Sequence, residues 1–259
     1  MPTAMIALGG NSISQKGEAG DISIQFNHTR QALDGISHFI DRDYNLCINH
    51  GNGPQVGNEL YRMELTRKKI PSLPLGVCVA ATQGTIGYMI QQSLQNKLRN
   101  MNLDREVVTL ISQVIVNVND PQFKIPQKFI GPRYIKEKAE ILAKKFNWNI
   151  KEQTKGDWRR VVPSPMPEYI MHGKSIKALV DRGTIVISSG GGGIPVFNNT
   201  DGQLEGLDAV IDKDFSAAKL GRIIRAQELW IITDIDSVYL NFGTKNQKRL
   251  KVATKDQME

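Results

Sequence analysis

The stretch Asp208-Ala209-Val210-Ile211-Asp212-Lys213-Asp214 ends in two carboxylates, Asp212 and Asp214, around the ammonium group of Lys213, at the predicted entrance of a helix. Downstream, Ala217, Leu220 and Ile224 recur at helical spacing. Upstream, Thr184-Ile185-Val186-Ile187-Ser188-Ser189 reads as a buried strand ending in Gly190-Gly191-Gly192-Gly193. Such a turn bares its backbone, and N–H groups at a helix start attract anions. Lys213 adds a mobile positive charge, and the Asp pair could hold Mg2+ or orient Lys213. Together these residues suit chemistry on phosphate groups. Each piece has a plainer reading: Asp at a helix start is commonly a cap, and consecutive glycines a turn. The order strand, Gly-turn, charged helix entrance brings the two readings level.

Two other predicted strands end in glycine. Ala4-Met5-Ile6-Ala7-Leu8 runs into Gly9-Gly10-Asn11, and Leu46-Cys47-Ile48 runs into His50-Gly51-Asn52-Gly53-Pro54. Paired glycines let backbone approach a ligand closely, or simply make a tight turn. Pro54 suits the first turn of a helix. His50 is a base, a ligand or, more commonly, a structural hydrogen-bonding group. No second His lies near it, so no metal cluster is predicted.

The elements that must position these groups alternate. A helix carries Phe26, Leu33, Ile36 and Ile40; another runs from Gln55 to Lys69; a third carries Ile86, Met89, Ile90, Leu94 and Leu98. Val107 to Val116 is apolar and β-branched and reads as one strand. Ser175 to Asp181 is a helix, and Leu229-Trp230-Ile231-Ile232-Thr233 a buried strand leading to Asp234, Asp236 and Tyr239. Tyr239 suits either stacking on a base or the core. The alternation predicts a mainly parallel sheet with helices on both faces, binding ligands beyond the C-terminal strand ends. Pro121, Pro126 and Pro132 break the rhythm, and residues 119–162 are expected to form an inserted flap with no regular element across the prolines.

A chain of 259 residues with 40% hydrophobic residues can bury a sizeable core, here expected as a single domain over 1–259. No apolar run reaches the roughly 20 residues that span a bilayer, so no membrane partner is predicted. The N-terminus has no charged region before its apolar run, which argues against a signal peptide. Cys47 and Cys78 sit in apolar segments and read as buried thiols in a reducing compartment. The net charge of +7 suits anionic small substrates. Basic residues are not interleaved with aromatics, so nucleic acid is not expected. There is no Gly-x-x-x-x-Gly-Lys-Ser/Thr loop, no Gly-x-Gly-x-x-Gly after a strand and no Gly-x-Ser-x-Gly elbow.

Several phrases together resemble the carbamate kinases. They are Ala7-Leu8-Gly9-Gly10-Asn11, His50-Gly51-Asn52-Gly53-Pro54-Gln55-Val56-Gly57 and Gln83-Gly84-x-Ile86-Gly87-Tyr88, followed by Asn119-Asp120-Pro121 with Lys128 and Ile130-Gly131-Pro132. Arg159-Arg160-Val161-Val162-Pro163, the Gly190–Pro195 turn, Ala209–Asp214 and Thr233–Tyr239 complete the series in family order.

The resemblance implies an α/β chain with the amino-acid-kinase fold, a three-layer αβα sandwich around a mainly parallel sheet, with a protruding flap. It implies reversible phosphoryl transfer between carbamoyl phosphate and ADP, giving ATP and carbamate with Mg2+, as in arginine fermentation, by a cytoplasmic homodimer. Carried over residue by residue, Gly9, Gly10, Asn11, Gly51, Asn52 and Gly53 would cradle the carbamoyl and phosphoryl groups. Lys128 would contact carbamoyl phosphate from the flap, Lys213 would stabilise the transferred phosphoryl, and Asp214 would orient the lysines. Gly191, Gly192, Thr233, Asp234, Asp236 and Tyr239 would serve ADP or ATP. The chain departs from the family at Phe129, where proline is usual, and at Lys155-Gly156-Asp157, where an arginine is absent. The family also continues beyond the position of Glu259 into a segment with another lysine. A non-catalytic protein binding nucleotide or carbamoyl phosphate is therefore the alternative expectation. A kinase of another acid on the same fold is a third, which the flap pattern around Lys128 disfavours.

Overall fold

A computed structural model of the chain describes residues 1–14, 20–233 and 237–257. In chain order the elements are β1 (Thr3–Leu8), α1 (Ile22–Ala32), α2 (Ser37–Ile40), β2 (Asn45–His50), α3 (Gly53–Thr66) and α4 (Leu75–Asn100). There follow β3 (Val107–Thr109), β4 (Gln113–Val116), β5 (Lys128–Tyr134), α5 (Lys136–Phe146), β6 (Asn149–Thr154), β7 (Asp157–Val162) and β8 (Pro167–Ile170). The last third holds α6 (Gly173–Asp181), β9 (Ile185–Ile187), β10 (Ile194–Asn198), β11 (Leu204–Gly206), α7 (Lys213–Ile224), β12 (Glu228–Ile232), β13 (Val238–Leu240) and β14 (Lys248–Leu250).

The central sheet has the order β12-β1-β2-β9-β3, all parallel. Successive side chains of a strand point to opposite faces, so a strand covered on both sides is apolar throughout. Ala4, Ile6 and Leu8 of β1 pack with Leu33, Ile36, Phe39 and the α4 residues Ile86, Met89, Ile90 and Leu94. Met5 and Ala7 face the other way, onto Ile176 and Val180 of α6 and Ala217, Leu220 and Ile224 of α7. Helices therefore cover both faces, which makes the three-layer αβα sandwich. Among the described residues no helix is long and apolar enough to cross a membrane.

Register decides where the site falls. Leu8 pairs with both His50 and Ile232, and Ile48 pairs with Ile187. The chain after β1, β2, β9 and β12 thus leaves the sheet at one level. Gly9 N donates to Ile232 O at 2.7 Å and Gly51 N to Leu8 O at 2.8 Å, extending the ladder into the loops.

Three expectations need correction, the first being the single helix from Phe26 to Ile40, which is α1 and α2 separated by a short 3-10 turn at Asp34–Ile36. The apolar run Val107 to Val116 is two strands in different sheets: β3 edges the central sheet, whereas β4 lies between β10 and β8 in the order β11-β10-β4-β8. Buried Ser112 makes the break. Its N–H donates to Gln83 Oε1 at 2.8 Å, its hydroxyl meets Ser188 Oγ at 2.7 Å and its carbonyl accepts from Ile194 N at 2.9 Å. An apolar period shows burial but not a change of sheet. The prolines do not exclude regular structure either, because Pro132 lies inside β5. That strand is at the edge of the sheet β5-β7-β6, and its register slips between Ile130 and Tyr134. An edge strand with an irregularity tolerates a residue that cannot donate to the ladder. Leu142, Phe146 and Trp148 form the small core of this unit.

Candidate active site

The three glycine loops converge. A cleft of about 220 Å³ at the sheet's rim is lined by Gly9, Gly10 and Asn11 after β1, by Gly51, Asn52 and Gly53 after β2, and by Gly191 after β9. Thr233, Lys128, Phe129, Arg159, Ile211, Asp212, Lys213 and Asp214 complete its walls. The first two loops touch backbone to backbone: a Cβ on Gly51 would lie 2.8 Å from Gly10 N and 3.4 Å from Lys213 Cδ. Only glycine fits there, and its absent side chain leaves room for Lys213 to pass.

Asn52 is buried, with its side-chain amide against Gly191 and donating to Thr82 Oγ1 of α4 at 2.9 Å. It offers backbone to the cleft and a fixed wall behind it. His50 is buried, its ring packed against Gly190, and burial pushes it down to about 4 despite a 3.0 Å contact between Nδ1 and Gly51 O. It is neutral near pH 7 and absent from the cleft lining, which favours the structural reading of His50.

The charges arrive from two directions. Lys128 opens β5, and its Nζ lies 2.5 Å from Asp212 Oδ2. Asp212 is the N-cap of α7, accepting from Asp214 N at 2.9 Å through its other oxygen. Burial pushes its carboxyl up, but the Lys128 ammonium, its hydrogen bond, the Asp214 N–H and Lys213 together hold it below the usual carboxylate range. Lys213 pairs with the half-exposed carboxylate of Asp214. Its backbone carbonyl accepts from buried Asn49 Nδ2 at 2.8 Å, which ties the first residue of α7 to β2. Two ammonium groups, exposed N–H groups of glycine loops and the start of a helix make an anion site.

Lys128, Lys213, Asp214 and the six residues expected to cradle substrate are thus brought together, along with Gly191 and Thr233. Gly192 is buried behind the cleft, where its carbonyl accepts from Ser216 Oγ at 2.6 Å. Tyr239 lies on β13 against Phe242, with ring centroids 5.8 Å apart, and does not line the cleft. Asp234 and Asp236 lie outside the described residues. Sequence reasoning missed Asp212 as the partner of Lys128, Asn49 as an anchor and Arg159 as a wall of the cleft. Capping position hinted at Asp212; nothing in the spacing pointed to the other two.

A parallel sheet with such a rim defines a class of small-molecule phosphotransferases. The chain belongs to the amino acid kinase family, which matches it over residues 2–259. Within that family its relatives are carbamate kinases. That of Pyrococcus furiosus is 44% identical over 95% of this chain and 79% of its own length. Carbamate kinase 2 of Staphylococcus epidermidis is 40% identical over 100% of this chain and 82% of its own. The structure of carbamate kinase from Giardia lamblia bound to citric acid superposes with a TM-score of 0.89 at 35% identity, covering 93% of this chain and 78% of that one. The same enzyme bound to AMP-PNP gives 0.82 at 34% identity, covering 96% and 79%.

Proposed function

We propose that this chain transfers a phosphoryl group reversibly between carbamoyl phosphate and ADP. A β-phosphate oxygen of ADP attacks the phosphorus of carbamoyl phosphate. The bond from phosphorus to the carbamoyl oxygen breaks, carbamate leaves and ATP forms. Little covalent work falls to the protein, so positioned cations and N–H donors supply most of the rate. The observation that carries this reading is the convergence of Lys128 and Lys213 on one glycine-walled cleft.

In this reading Lys213 stabilises the transferred phosphoryl, with Asp214 orienting its ammonium. Lys128 meets carbamoyl phosphate from residues 119–162, which act as a flap. Gly10, Asn52 and Gly53 offer backbone donors, while Gly9, Asn11 and Gly51 shape the cradle, the N–H groups of Gly9 and Gly51 being taken by Ile232 O and Leu8 O. The nucleotide side is assigned to Gly191, Thr233 and the residues up to Tyr239, with Gly192 acting from behind. Among the described residues no cluster of three His, Cys, Asp or Glu is present to cage a metal. Mg2+ needs only one or two carboxylates besides phosphate oxygens and water. Asp214 suits that role, because Lys213 takes its Oδ1, whereas both oxygens of Asp212 are engaged, by Lys128 and by the α7 backbone. When bound, the ion would neutralise charge on the nucleotide phosphates. The resemblance further suggests a homodimer and a cytoplasmic location.

The test is ATP formation from carbamoyl phosphate and ADP, coupled to hexokinase and glucose-6-phosphate dehydrogenase. Turnover well above the spontaneous decay of carbamoyl phosphate supports the reading. Nucleotide binding without turnover would replace it with that of a non-catalytic binding protein.

A further inference from the structure

Arg159 differs from the other cations of the cleft. Its side chain is buried, the residue being only 7% exposed, and it forms part of the cleft wall. Lys128 has Asp212 and Lys213 has Asp214, but the bonds of Arg159 go to neutral acceptors. One Nη2–H donates to Gly131 O at 2.7 Å and one Nη1–H to Gln153 Oε1 at 3.1 Å. The Nε–H is buried and has no partner. Asp157, the carboxylate whose field reaches Arg159, makes its ion pair with Arg133 at 2.8 Å. Among the described residues lining the cleft, Arg159 is therefore the cation without a carboxylate.

A buried charge with no carboxylate in contact is costly, and an orphaned donor adds to that cost. Burial, then repulsion from Arg133, pull Arg159 down to about 10, against a weaker pull from Asp157. It therefore remains charged at neutral pH. A guanidinium fork fixed at both ends of its Nη pair suits an oxyanion with two oxygens to share.

We infer that Arg159 is a substrate-binding residue that takes the phosphoryl oxygens of carbamoyl phosphate from the flap side, opposite Lys213. The inference rests on the proposed reaction for its substrate. It adds to Lys128 and Lys213, each paired with a carboxylate, a cation from β7 whose bonds go to neutral acceptors.

Arg159→Gln keeps a donor for Gly131 O and removes the charge. The expected result is a rise of about 10- to 100-fold in KM for carbamoyl phosphate, the range of a charge-assisted hydrogen bond, with KM for ADP within about twofold of wild type. Inorganic phosphate should raise the Tm of the wild-type chain more than that of Arg159→Gln at the same concentration. If Arg159→Gln does not fold, Arg159→Lys is read instead; it keeps charge and loses the fork, so the same KM rises by less. A KM for carbamoyl phosphate unchanged in either folded variant, or an equal rise for ADP, would overturn the assignment. An inactive wild-type chain would sink the reaction instead. The phosphate-dependent Tm would still decide whether Arg159 binds an oxyanion.

Discussion

Lys128 Nζ stands 2.5 Å from Asp212 Oδ2 across 84 residues of chain, and this contact joins β5 to the first turn of α7. One carboxylate thus caps the helix that begins with Lys213 and holds the lysine that comes from β5. Asp212→Asn separates the two jobs, because Asn caps a helix about as well as Asp but cannot neutralise an ammonium. We expect kcat to fall by about 10- to 1,000-fold, with a Tm within a few degrees of wild type. Equal losses in both would make Asp212 a purely structural cap.

The same residue gives a pH dependence. Its folded carboxyl is held below 3.8, so its contribution to stability is present above that value and is lost as pH falls through the lower, folded value. Urea midpoints measured between pH 6 and pH 3 should therefore drop less steeply for Asp212→Asn than for wild type. Parallel curves would contradict the ion pair.

His50 makes an opposite use of a titratable group. Burial holds its folded value at about 4, against 6.5 in the unfolded chain. The neutral form therefore stabilises the fold above pH 6.5, and that contribution fades as pH falls from 6.5 towards 4. The carbon-bound ring protons of His50 should show no titration between pH 8 and pH 5.5 in NMR. A midpoint near 6.5 would reopen a catalytic role for this ring.

Gly57 of α3 and Gly131 of β5 meet so closely that a Cβ on Gly57 would overlap the Gly131 backbone. Gly131 O also accepts from Arg159, and Lys128 lies three residues earlier on the same strand, so this joint sets both cations. Gly57→Ala should displace β5, at a cost of roughly 1–3 kcal/mol if the fold absorbs the methyl group. It should also reduce kcat/KM for carbamoyl phosphate more than binding of ADP. An alanine variant with wild-type kinetics would show that the joint does not position the site.

Much of this was legible in the sequence because it rests on local chemistry. Apolar runs stopped by glycine marked β1, β2 and β9 and their loops, and the order of elements marked the layers. What was not legible depends on pairing between distant segments. The split at Ser112 follows from Gln83 and Ser188, and the edge position that accommodates Pro132 follows from strand order. The salt bridge of Lys128 joins residues that no period relates. The place of Tyr239 was also not legible: it packs on Phe242 in the β13–β14 hairpin and is not part of the cleft lining.

The central claim is that phosphoryl transfer occurs between the two lysines at the sheet's rim. The most direct measurement follows carbamoyl phosphate, ADP and Mg2+ by phosphorus NMR with wild type and with Lys213→Ala. The neighbouring fold is retained because Asn49 grips the backbone, not the side chain, of residue 213. ATP signals should grow with wild type, and kcat should be lower by about 100-fold or more in the folded variant. Equal rates from the two proteins would contradict that claim.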